Sequence, residues 1–224
     1  MKTETRTSDY SIVIPVYFNE GRLENTLNEI KTQVIEKQPG REAEILFVDD
    51  GSGDGSLREL VDLQSRNANL VKVIKLTRNF GQVSAIRAGM TYARGQCVVV
   101  MSADGQDPAT LINDMFTAHF KEHFEVVVCA RSGREESAYR MWTSRLVYAL
   151  MRKLSFPGMP LGGFDFMLLG RRAVDMLTRN RESHPFLQGQ VLWMGFRTKV
   201  FEYERHARRS GVSRWTFGRK LTYL

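Results

Sequence analysis

Apolar positions along the first 130 residues follow two alternating rhythms. Runs of β-formers cover Tyr10–Val16, Glu44–Val48, Leu70–Leu76, Cys97–Met101 and Phe124–Ala130. Runs without polar alternation predict strands covered on both faces, as in a parallel sheet. Between them the apolar residues return at helical spacing: Leu23, Leu27, Ile30 and Val34; then Leu57, Leu60 and Val61; then Val83, Ile86 and Met90. Strand, loop and helix alternate four times at a spacing of roughly 30 residues, the rhythm of right-handed βαβ units. The predicted fold is a single α/β domain with a doubly wound, mostly parallel sheet flanked by helices, and residues 1–130 form its nucleotide-binding half.

The pattern loosens after residue 130. Tyr139–Leu154 reads as a helix with apolar residues around most of its surface and Arg140, Arg145, Arg152 and Lys153 between them, so it is either buried or laid against something apolar. Phe164–Leu169 and Thr198–Tyr203 read as strands, Arg171–Thr178 and Phe186–Met194 as helices, and Arg205–Gly218 as a basic loop.

The strands run out into loops of unusual chemistry. Cys97–Met101 ends in Ser102-Ala-Asp-Gly-Gln-Asp-Pro108. Ligands of open parallel sheets bind beyond the carboxyl ends of the strands. Asp104 and Gln106, two apart just past such an end, are placed to turn oxygens toward one cation, while Pro108 favours a turn into a new helix. The plainer alternative is an acidic turn capping that helix. After the second strand, Asp49-Asp50 precedes Gly51, Gly53 and Gly55, a backbone able to bend sharply around a ligand with carboxylates free to accept hydrogen bonds. GxGxxG and GxxxxGK[ST] are both missing, which argues against a Rossmann dinucleotide fingerprint and a P-loop.

Charge divides the chain. Residues 1–130 carry a net −4 and residues 131–224 a net +11, out of +7 overall. A basic second half suits anionic lipid, a phosphorylated substrate or nucleic acid. Nucleic acid is the weakest of these, because that half lacks a known binding module. Cys97 and Cys129 both sit in apolar runs and read as buried reduced thiols, which favours a reducing compartment. The polar N-terminus does not read as a signal peptide, and no window approaches the roughly 20 apolar residues of a membrane span. His119, His123, His184 and His206 fit no metal or triad spacing and are expected to be solvated.

Six segments, in order, resemble family 2 glycosyltransferases of the GT-A fold, especially the polyprenyl-phosphate branch. They are Ser11-Ile-Val-Ile-Pro-Val-Tyr-Phe-Asn-Glu20, Ile45-Leu-Phe-Val-Asp-Asp-Gly-Ser-Gly-Asp54, Arg78-Asn-Phe-Gly81, Ser102-Ala-Asp-Gly-Gln-Asp-Pro108, Phe164-Asp-Phe-Met-Leu168 and the run Tyr203–Trp215. The resemblance implies that Pro15, Tyr17, Glu20 and Asp50 surround the nucleoside of a UDP- or GDP-sugar, and that Ser102 belongs to the same donor-binding set. Asp104 and Gln106 would hold Mg²⁺ or Mn²⁺ against the diphosphate, and Arg208, Ser213 and Arg214 would close over the phosphates. The implied acceptor is a polyprenyl phosphate at the cytoplasmic face of the membrane. In that picture residues 131–224 form the basic, acceptor-binding half of the same domain, ahead of membrane segments expected beyond Leu224.

Two departures from the family pattern bear on chemistry. Ser102 stands where the family has an aspartate, which weakens a cation site because a hydroxyl is a poorer ligand than a carboxylate. Met167 stands where the family's GDFRL segment has arginine. Asp165 is either a catalytic group or an orienting partner for an arginine, and Glu182 is the other acidic residue near an acceptor. A glycan hydroxyl acceptor and a non-catalytic sugar-nucleotide sensor are the rival readings.

Overall fold

In the computed structural model the described residues are 8–131, 159–160, 163–180 and 186–204. The helix expected over Tyr139–Leu154, Glu182 and the basic run with Arg208, Ser213 and Arg214 lie outside them. The strands are β1 (Ser8–Val16), β2 (Ala43–Asp49), β3 (Val71–Lys75), β4 (Gly95–Val100), β5 (Val126–Arg131), β6 (Phe166–Gly170) and β7 (Thr198–Tyr203). The helices are α1 (Leu23–Gln33), α2 (Ser56–Arg66), α3 (Gln82–Tyr92), α4 (Leu111–Phe120), α5 (Arg171–Arg179) and α6 (Leu187–Trp193).

One seven-stranded sheet runs in the order β3-β2-β1-β4-β6-β5-β7. β6 is antiparallel to both β4 and β5, and every other pairing is parallel. The regular βαβ progression therefore ends at β4: β5 does not join it directly, because β6 occupies the place between them. A strand from the second half thus completes the sheet of the first.

Side chains alternate between the two faces of the sheet. Ile12, Ile14, Ile45, Phe47, Val99 and Leu168 face the layer of α1, α2 and α4. Val13, Leu46, Val48, Val98, Val100 and Met167 face that of α3, α5 and α6. The spacing of Leu57, Leu60 and Val61 turns Val61 inward, but α2 buries Leu60 and Leu63 and leaves Val61 exposed. Met167, opposite Val100 and Val128 in the register, is 1% exposed in the second layer. An arginine at this position would bury its charge, so the side chain here serves packing.

The order of strands opens a crevice. From β1 the chain builds outward to β2 and β3, then returns across the sheet to β4, which puts the topological switch point between β1 and β4. Pro15 helps part these strands. Val13 accepts from the Met101 amide, the last such bond, and the next amide on that side would be residue 15, where proline has none. β1 continues to pair with β2 as far as Val16 and Asp49, while the chain after β4 peels away into the Ser102–Pro108 loop.

Candidate functional site

The loops after β1, β2, β3 and β4 meet at this edge, bound together by their own polar groups. Ser52 and Ser56 hydroxyls accept from the amides of Phe18 and Asn19 at 3.1 and 2.9 Å, and Glu20 accepts from the Gly55 amide at 2.9 Å. Glu59 on α2 takes the amides of Gly21, Leu23 and Glu24, supplying from another helix the cap that α1 lacks in its own sequence. Thr26 on α1 donates to the carbonyl of Ala103. Phe18 sits at φ 57°, a left-handed conformation costly for a bulky residue and common at functional sites.

Asp50 is 3% exposed and accepts from the Phe80 amide at 2.7 Å and the Gly81 amide at 2.9 Å, so it ties the second loop to the third. Burial pushes its carboxyl above the ordinary aspartate range, against the pull of the two amides. Gly51 packs under the same junction: at φ 70°, a Cβ would stand 2.5 Å from the backbone carbon of Arg78. Asp49 is fully buried, with one oxygen near the Ser52 amide and the other without a hydrogen-bond partner.

The loop after β4 places Ser102, Asp104 and Gln106 together. Asp104 accepts from the Gln106 amide at 3.2 Å and lies 2.9 Å from Ser102 Oγ. Asp107, which no sequence signal singled out, is 1% exposed. It accepts from the Ser102 amide and hydroxyl at 2.8 and 2.5 Å and from the Tyr203 hydroxyl at 2.7 Å. Burial pushes the Tyr203 phenol up, and Asp107 pushes it further. Arg131, whose charge acts on the Tyr203 phenol against that rise, donates to Asp165 at 2.6 Å. Gln188 donates to the Phe164 carbonyl at 2.7 Å and approaches Asp165 at 3.3 Å. A polar chain thus runs from the β4 loop to the Phe164–Leu168 segment, joining parts of the sequence that no short motif spans.

The donors beside the crevice are a carboxylate, a hydroxyl and an amide, hard oxygen chemistry that suits Mg²⁺ or Mn²⁺. No group of three or more His, Cys, Asp or Glu side chains gathers to hold a metal among the described residues. A cation here would draw the rest of its shell from water and substrate phosphates, the usual Mg²⁺ arrangement. The expectation of solvated histidines fails for His119, whose ring bonds to the Phe124 carbonyl at 2.8 Å. Cys97 and Cys129 are buried free thiols, as expected.

Known proteins share this architecture and sequence. The family described as Glycosyl transferase family 2 matches residues 11–178. The uncharacterized glycosyltransferase YkcC of Bacillus subtilis is 37% identical over 97% of this chain and 66% of its own length. The undecaprenyl-phosphate 4-deoxy-4-formamido-L-arabinose transferase of Proteus mirabilis is 34% identical, again over 97% of this chain and 66% of its own. The chain spans 62–66% of the length of such curated relatives. Among solved structures, the mannosyltransferase PcManGT of Pyrobaculum calidifontis, in complex with GDP-Man and Mn²⁺, superposes with a TM-score of 0.63 at 18% identity, over 92% of this chain and 59% of that one. A mostly parallel sheet with its crevice between β1 and β4 is the GT-A fold, and the chain belongs to glycosyl transferase family 2.

Proposed function

We propose that this chain is the catalytic part of an inverting glycosyltransferase that moves a sugar from a UDP- or GDP-sugar onto a polyprenyl phosphate. The observation that carries the reading is the convergence of four strand-end loops on the crevice between β1 and β4, with Asp104 at its mouth. Residues 1–130 take the donor and residues 131–224 the acceptor. The family match and the named activity of the Proteus mirabilis relative support the acceptor class.

In this reading Pro15, Tyr17, Glu20 and Asp50 shape the nucleoside end of the site, Asp50 by holding Phe80 and Gly81 in place. Ser102, Asp104 and Gln106 face the diphosphate. A divalent ion bound there supplies Lewis-acid stabilisation of the charge that develops on the leaving nucleoside diphosphate. Arg208, Ser213 and Arg214 supply donors to the phosphates from the basic run. A phosphate acceptor needs no proton removed by the protein, because its second pKa is about 6 and its oxygen is already anionic near neutrality.

Incubating the protein with a panel of UDP- and GDP-sugars and undecaprenyl phosphate, with mass spectrometry of the lipid, tests the reading. A glycosyl phospholipid from one donor is expected. Transfer only to glycan hydroxyls, or tight donor binding with no transfer to any acceptor, overturns it.

A further inference from the structure

Ser102 Oγ lies between two carboxylates, 2.5 Å from Asp107 and 2.9 Å from Asp104. A hydroxyl has one hydrogen and two lone pairs, so it serves only one of them well as donor. Asp107 is the closer acceptor, and it is held rigidly: it is buried, it takes the Ser102 amide on the same oxygen, and Tyr203 from the last strand fixes the other. With the hydrogen drawn to Asp107, the lone pairs of Oγ point to the side where Asp104 stands. Two oxygens 2.9 Å apart with no hydrogen between them repel, and a cation beside both relieves that repulsion.

We propose that Asp107 and Tyr203 are positioning residues of the cation site. Tyr203 fixes Asp107, and Asp107 takes the Ser102 hydrogen so that Ser102 Oγ and Asp104 together face a divalent ion. The inference rests on the proposed donor-binding role of the β4 loop. It explains how a serine serves in place of a carboxylate: a neutral oxygen is made a directed ligand by a buried acceptor behind it. The Tyr203–Asp107 bond spans 96 residues. It ties the cation loop to β7 at the far side of the sheet.

The test is Mn²⁺ binding by the 224-residue protein, followed by electron paramagnetic resonance and by calorimetry with UDP and with GDP, each nucleotide also titrated without metal. Tyr203→Phe and Asp107→Asn are expected to weaken Mn²⁺ affinity about tenfold or more, the usual cost of removing an outer-shell partner, while metal-free nucleotide affinity and melting temperature stay near wild type for Tyr203→Phe. Ser102→Cys should shift preference from Mn²⁺ toward Cd²⁺, as a thiolate ligand does, and Ser102→Thr should retain Mn²⁺. Tyr203→Phe binding Mn²⁺ as wild type does, or Ser102→Cys showing no gain for Cd²⁺, overturns the proposal and leaves the donor site standing. Wild-type protein that binds neither nucleotide with any divalent ion overturns both.

Discussion

Arg131 at the end of β5 donates to Asp165 ahead of β6 at 2.6 Å, and Tyr203 closes the arrangement from β7. Burial lowers the tendency of this guanidinium to stay charged, and Asp165, Tyr203 and Asp107 together more than restore it. One carboxylate oxygen thus accepts from an arginine, as the orienting role requires, while the side chain stays partly exposed. Asp165→Asn should keep measurable turnover with a phosphate acceptor, and the rate should follow ionisation of the acceptor phosphate across pH 5–8. A loss of roughly 10³-fold with donor affinity intact would assign general-base catalysis to Asp165 and a hydroxyl to the acceptor.

Asp104→Ala should abolish cation-dependent donor binding in a calorimetric titration of nucleotide with and without Mn²⁺. Ser102→Asp gives the sharper test. Judged from the sequence, restoring the family's aspartate should preserve or tighten cation binding. In the structure the new carboxylate would meet buried Asp107, 2.5 Å from the present hydroxyl, and like charges that close cannot both ionise cheaply. Weaker Mn²⁺ binding and a lower melting temperature are expected.

Gly51→Ala combines a left-handed φ with a collision against the Arg78 backbone. Neither neighbour is a flexible side-chain end, so the junction between the second and third loops must move. A loss of about 1–3 kcal/mol is expected, read by urea denaturation, together with weaker donor binding. Gly105→Ala is the control, since it too has positive φ but nothing lies within 4 Å of its Cβ.

At the opposite edge of the sheet, Glu44 is 2% exposed and accepts from Ser11, the Arg94 amide and Lys72. Burial pushes its carboxyl up, but these donors together bring it below the ordinary glutamate value. The unfolded chain therefore binds this proton more readily, so the contribution to stability is present above the unfolded pKa of about 4.3 and is lost as pH falls through the lower folded value. Glu44→Gln should destabilise the protein by about 1–3 kcal/mol at neutral pH and flatten its stability profile in that acid window, measured by thermal melts across pH 2.5–6.

If the +11 half addresses a bilayer, flotation should show association with anionic vesicles that weakens with salt and little association with neutral ones, at up to about 1 kcal/mol per well-placed basic residue. Equal, salt-independent binding to both would count against the anionic surface.

Residues with local consequences were legible in the sequence. Runs rich in β-formers place all seven strands to within two residues at either end, the largest offsets being at the starts of β1, β4, β5 and β6. Glycine and acidic clusters mark the loops that reach the crevice, because strand burial and backbone conformation depend on near neighbours in the chain. What only the tertiary structure decided depends on distant residues. The insertion of antiparallel β6 between β4 and β5, the exposure of Val61 in place of Leu63, and the burial of Met167 are set by which surface each element meets. Asp107 reads along the chain as one more acidic turn residue. Its role exists only because the fold brings Tyr203 to one of its oxygens and Ser102 to the other.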